Sequence, residues 1–138
     1  MPDGATTRRT DRKVAVATAK NPVMVKGRRE FFTYRDLGVT EGSNGHMRAQ
    51  ITAAKAGMSR PTGWHYHECE SQLVYVLKGW IELEFASGPV RLEAGDSVYI
   101  PGGMPHNECR TADEFEILEV SVPAQMGTKP CEAPAGAA

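Results

Sequence analysis

Gly63-Trp64-His65-Tyr66-His67-Glu68-Cys69-Glu70-Ser71-Gln72-Leu73-Val74-Tyr75-Val76-Leu77-Lys78-Gly79 is the stretch that decides how this chain is read. Residues two apart on a strand share a face. His65 and His67 therefore project to one side, while Trp64 and Tyr66 project to the other. Two imidazoles on one side are the start of a metal site, because neutral imidazole suits Zn, Cu, Fe and Ni. Gln72 has the parity of Val74 and Val76, which have the character of core residues, so its amide oxygen can enter the same interior. A second stretch, Gly95-Asp96-Ser97-Val98-Tyr99-Ile100-Pro101-Gly102-Gly103-Met104-Pro105-His106, ends in a Pro/Gly-rich turn and a further histidine. The chain has four histidines, and three of them fall in these two stretches.

Outward from there, short runs of period two fill the middle of the chain. In residues 46–54, Met47, Ala49, Ile51 and Ala53 alternate with His46, Arg48, Gln50 and Thr52. The apolar set is expected to be core, with His46 on the surface. The opposite register would line a pocket with Arg48 and Gln50. Residues 72–77, 80–85, 90–92, 97–100 and 115–122 continue the pattern, punctuated by glycine and proline. The 14 Gly and 9 Pro suit many short strands with frequent turns, which predicts an all-β sandwich or barrel.

The length of 138 residues suits one domain. Sixteen Lys and Arg against 17 Asp and Glu leave no surplus for a broad nucleic-acid-binding face. No apolar run approaches the ~20 residues of a membrane span, and no export signal is evident. Three cysteines at irregular spacing argue against a disulfide framework, so a cytoplasmic setting is expected. Composition marks residues 1–25 and 123–138 as flexible tails around a domain at 26–122.

The two histidine stretches resemble the two motifs of the cupin superfamily. His65, His67 and Gly79 match the first; Gly95, Pro101, Gly103 and His106 match the second. The resemblance implies a double-stranded β-helix, or jelly-roll barrel, forming a homodimer. It also implies one divalent transition metal per chain (Mn, Fe, Ni, Zn or Cu), held by His65, His67, Gln72 and His106. Two positions depart from the usual pattern: Gln72 stands for a Glu, and Arg110 for an Asn. A neutral ligand set leaves the metal its full double charge, making it a stronger Lewis acid toward anions. Glu68 and Glu70 are alternative fourth ligands.

Further candidates follow from parity. Glu108 shares the face of His106 and is the foremost acid–base candidate, with Tyr66 secondary. Arg110 has the same parity and either binds a substrate carboxylate or sits at the solvated strand end. Arg48 and Gln50 join it as substrate-binding candidates if the register of their run is reversed, and Met104 would rim the mouth. Cys69 and Cys109 read as free thiols. Trp64, Tyr66, Tyr75, Trp80 and Tyr99 look outward, as at a dimer interface. The expected function is a metal-dependent enzyme acting on a small enolisable, catecholic or sugar-acid-like molecule, of dioxygenase, isomerase or lyase type. The alternative is a module that binds or senses a small ligand without turnover.

Overall fold

Alternating burial along the strands shows how the sequence builds a barrel. The computed structural model describes residues 11–136. Strand β5 (Ser71–Lys78) buries Gln72, Val74 and Val76 and exposes Leu73, Tyr75 and Leu77. β6 (Trp80–Phe85) likewise buries Ile81 and Leu83. The remaining strands are β1 (Val23–Val25), β2 (Thr33–Asp36), β3 (Arg48–Ala54), β4 (His65–Glu68), β7 (Gly88–Glu93), β8 (Ser97–Pro101), β9 (Asn107–Thr111), β10 (Phe115–Val122) and β11 (Gly127–Pro130). One helical turn, Val39–Gly42, lies between β2 and β3.

All pairings are antiparallel. One sheet has six strands in the order β1-β2-β3-β10-β5-β8. A three-stranded sheet, β7-β6-β9, and a two-stranded sheet, β11-β4, make up the rest. An antiparallel bridge between His65 and His106, with reciprocal backbone bonds of 2.9 Å, joins these two smaller sheets. Two of the histidines thus sit at the seam of that layer. The apolar core between the layers gathers Ala54, Val74, Val76, Ile81, Leu83, Leu92, Phe115 and Ile117. Burying a large side chain of this kind stabilises by ~1.5–3 kcal/mol, and several of these residues also form the wall of the interior cavity.

The β5–β6 turn needs glycine. Gly79 has φ +76°, and a Cβ there would lie 2.3 Å from the Glu114 carbonyl oxygen. A side chain is excluded on both counts. The Pro101-Gly102-Gly103 turn after β8 docks on the β4–β5 connection. Gly102 N–H donates to Glu70 O at 3.0 Å and Gly103 N–H to His67 O at 2.9 Å. This docking brings His106 back beside His65 and His67.

Three expectations change. On β3 the polar set faces inward: Arg48, Gln50 and Thr52 line the barrel's cavity. Directly opposed residues share a face, and β10 opposes Ile117 to Thr52 and Glu119 to Gln50. Residues 123–138, expected as a tail, carry β11, which pairs with β4 from Glu68 to His65. Within residues 1–25, Lys13 N–H donates to Gly42 O at 2.8 Å and β1 pairs with β2. The expectation of mobility at residues 1–10 and 137–138 lies outside the described residues.

Candidate metal centre

The three histidines converge inside the barrel. His65, His67 and His106 are only 4%, 5% and 1% exposed. Their ring centroids lie 5.1 Å (His65–His67), 4.5 Å (His65–His106) and 5.1 Å (His67–His106) apart. Each Nδ1 has a partner. His65 Nδ1 lies 2.7 Å from Gly63 O, and His106 Nδ1 lies 2.9 Å from Met104 O. A carbonyl oxygen only accepts, so in both rings Nδ1 carries a proton and Nε2 is the atom turned to the cluster. His67 Nδ1 meets the Thr128 hydroxyl at 2.9 Å. That partner comes from β11, so the C-terminal strand orients one ring of the cluster.

Glu108 completes the group. Its Oε2 lies 3.5 Å from His65 Nε2 and 3.8 Å from His106 Nε2. One donor atom from each of His65, His67, His106 and Glu108 lies within 4.8 Å of all the others. Metal–nitrogen bonds of ~2.0–2.1 Å put neighbouring donors roughly 3–3.5 Å apart, so these spacings suit a divalent ion.

The donors also need one. Among the described residues, His65 Nε2, His106 Nε2 and Gln72 Oε1 are buried without a hydrogen-bond partner, a state that costs ~1–3 kcal/mol per group. All three are of the atom types that can ligate a metal. Protonation is a poor substitute. Burial, then the neighbouring His106 and His65, pushes His67 down to about 4. Burial also lowers His106, against the opposing influence of its Met104 hydrogen bond and of Glu108. Burial alone would raise Glu108, but the His65 contact and the charges of His65, His106 and His67 hold its carboxyl below the ordinary range. At neutral pH the arrangement is neutral imidazoles at His67 and His106 facing a carboxylate.

Parity from His106 points Glu108 inward, but its expected role was acid–base chemistry rather than a place among the donors. Gln72 is 4% exposed and lines the same cavity as His67 and Glu108. Glu68 and Glu70 are exposed and lie outside the donor group.

The cavity beside the cluster holds about 280 Å³. Apolar side chains including Val74, Ile81, Leu83, Ile100, Phe115 and Ile117 form much of its wall. Its polar lining includes Glu119, a residue that sequence reasoning missed. Glu119 Oε1 accepts from the Thr52 hydroxyl and from Gln50 Nε2, the latter at 3.2 Å. The signal was available: Glu119 has the parity of Phe115 and Ile117 in an evident strand.

Arg110, Tyr66 and Met104 are not brought to the cavity. Arg110 is exposed and pairs with Glu82 at 2.8 Å. A bulge causes this: Glu82 opposes Arg110 and Leu83 opposes Glu108, leaving Cys109 as the extra residue. One extra residue reverses the parity. Tyr66 alternates with the buried histidines and lies on the other face of β4. Met104 is 39% exposed on the turn, where its carbonyl, not its side chain, serves the site by orienting His106. Burial, then Glu84, pushes the Cys109 thiol up to about 11, which favours the thiol over the thiolate at neutral pH.

A barrel of paired antiparallel layers with an inward histidine cluster defines a class of proteins rather than one activity. A family model described as "Cupin domain" matches residues 52–121, and the chain belongs to that family. Among solved structures, KdgF from Halomonas sp. is similar at TM-score 0.68 and 17% identity, covering 82% of this chain and 96% of its own. The polyketide cyclase RemF from Streptomyces resistomycificus matches at TM-score 0.61 and 21% identity, covering 95% and 87%. A variant of oxalate decarboxylase from B. subtilis matches at TM-score 0.64 and 17% identity, covering 86% of this chain and 33% of that one. These identities establish a shared fold. No curated protein matches the chain.

Proposed function

We propose that this protein is a metal-dependent enzyme acting on a small molecule inside the barrel. One observation carries the reading: four ligand groups converge within 4.8 Å beside a cavity of about 280 Å³. His65, His67, His106 and Glu108 would hold one divalent transition metal, with the Gln72 amide oxygen as a further donor from the same cavity. A divalent metal bound there polarises a carbonyl or enolate oxygen of the substrate.

The chain's own residues supply the rest. Both hydrogen bonds to Glu119 fall on Oε1, and among the described residues Oε2 has no protein partner. Oε2 is thus the oxygen left to meet a substrate, while Thr52 and Gln50 fix the carboxylate. A positioned acid–base group contributes ~10²–10⁴-fold in rate, and its presence favours turnover over passive binding. Isomerase, lyase and dioxygenase chemistry on enolisable, catecholic or sugar-acid-like molecules all suit this arrangement. The names of the similar structures, a polyketide cyclase and an oxalate decarboxylase, are in keeping with it.

Leu73, Tyr75 and Leu77 on β5 and Tyr99 on β8 form an exposed apolar outer face, which supports a homodimer through that sheet. No described helix is long and apolar enough to cross a membrane.

The test is a turnover screen of those three compound classes with metal-reconstituted protein, followed by Glu119→Gln. Turnover should fall at least ~10²-fold while metal content stays unchanged. Binding without turnover under every metal would leave a ligand-binding module instead.

A further inference from the structure

The whole chain carries a net charge of -1, yet its cavity is lined by four cations, Lys26, Arg28, Arg29 and Arg48, against two carboxylates, Glu108 and Glu119. Among the described residues, none of the four cations forms an ion pair. The two carboxylates are engaged elsewhere, Glu108 with the imidazoles and Glu119 with Thr52 and Gln50. The cavity lining thus keeps a net positive charge.

Three of the four cations come from residues 26–29, between β1 and β2. This segment is built onto the cavity. A Cβ at Gly27 would lie 2.0 Å from the Tyr34 ring, so glycine lets the backbone lie flat on that ring. Arg29 N–H donates to the Tyr34 hydroxyl at 3.1 Å. Tyr34 is itself buried and lines the cavity. Lys26, Arg28 and Arg29 are therefore held at the cavity wall by a backbone contact that leaves no room for a side chain at Gly27.

We propose that residues 26–29 are an anion-recognition strap, and that the cavity takes a small organic acid whose carboxylate pairs with Arg28 and Arg29 while its other end reaches the histidine cluster. Only the second half of that statement rests on the metal-enzyme reading above. The planar guanidinium fork matches a carboxylate with two parallel hydrogen bonds. The volume of about 280 Å³ is near the lower end of the usual ~300–1,000 Å³ for ligand pockets. A compact acid of a few carbons fits it. Arg48, on β3 of the same sheet, adds a fourth cation to the lining.

The experiment compares 2-oxo acids of roughly three to six carbons, a size range taken from the cavity, with their uncharged methyl esters. Zn(II)-loaded protein, its metal content fixed by elemental analysis, is titrated with each in a calorimeter. At least one acid should bind about tenfold or more tightly than its ester, because charge-assisted hydrogen bonds are lost in the ester. Added salt should weaken the acid and leave the ester unaffected. The double variant Arg28→Gln, Arg29→Gln should lose that tenfold for the acid, with ester affinity and Tm unchanged. Repeating the titration on protein stripped of metal separates the two readings. A preference for acid over ester in protein that never loads metal supports the strap and removes the metal enzyme. Equal binding of acid and ester, binding of neither by the wild type, or a double variant that binds acid as the wild type does would overturn the strap.

Discussion

Thr128→Val probes the link between the C-terminal strand and the histidine cluster. The substitution removes one hydroxyl, keeps the side chain's shape and keeps a β-branched residue on β11. The lost contact is the 2.9 Å hydrogen bond between Thr128 Oγ1 and His67 Nδ1. His67 is 5% exposed, so no water readily replaces the hydroxyl. The ring loses the partner that fixes its rotation, and a buried polar nitrogen is left unpaired. An unpaired buried group costs ~1–3 kcal/mol. Losing the outer partner of a metal-binding histidine lowers affinity by ~10–100-fold, which is the same energy expressed as binding. The assay is competition between the protein and a chromophoric chelator for Zn(II) or Co(II), with thermal unfolding of the metal-free form measured alongside. Thr128→Ser keeps the oxygen and should stay within a few-fold of the wild type. A Val variant with wild-type affinity would refute the idea that β11 orients His67, and would return residues 127–130 to a merely structural role.

Two other outcomes follow from the same geometry. The metal-free protein should lose stability as pH falls from about 6.5 toward 4. The folded-state pKa values of His67 and His106 lie below their unfolded values, so the unfolded chain binds more protons in that window. Glu108, also lowered, adds a loss of the same sign as pH falls further. For His67, a shift from 6.5 to about 4 is worth at most about 3 kcal/mol, readable as a falling urea midpoint; a midpoint flat from pH 7 to about 4 would contradict it. Gly102→Ala should be strongly destabilising, because its Cβ would lie 1.5 Å from the Cys69 carbonyl oxygen. A loss of several kcal/mol, or failure to fold, is expected in denaturant unfolding, and a near-neutral effect would mean that the turn need not dock on the β4–β5 connection.

Much of this architecture is legible in the sequence because period-two burial is simple where one face is dry. β5 and β6 alternate cleanly, since their inward residues meet an apolar core. The His-x-His pair projects inward for the same reason, and the Pro-Gly-Gly turn places His106 because only glycines fit against Cys69 and reach φ +79° at Gly103. Reading fails where the interior is polar. On β3 the apolar phase is Met47, Ala49, Ile51 and Ala53, but the cavity takes Arg48, Gln50 and Thr52, and the partner of the last two, Glu119, lies on another strand far along the chain. Hydrophobic phase cannot show that a polar group has a distant partner. Arg110 fails for a different reason: one bulged residue on β9 turns it outward, and nothing local announces the bulge. β11 hides in a Pro/Ala/Gly-rich segment because its order comes from pairing with β4, not from its own propensity.

The central claim is that His65, His67, His106 and Glu108 hold a metal ion. Its most direct measurement is the metal content of wild-type protein reconstituted with a divalent ion and freed of excess, beside His106→Ala treated identically. About one ion per chain in the wild type, and loss of that ion in the variant, is the result predicted from four converging donors. A wild-type protein that retains no divalent ion, or a folded His106→Ala variant that retains it fully, would contradict the account.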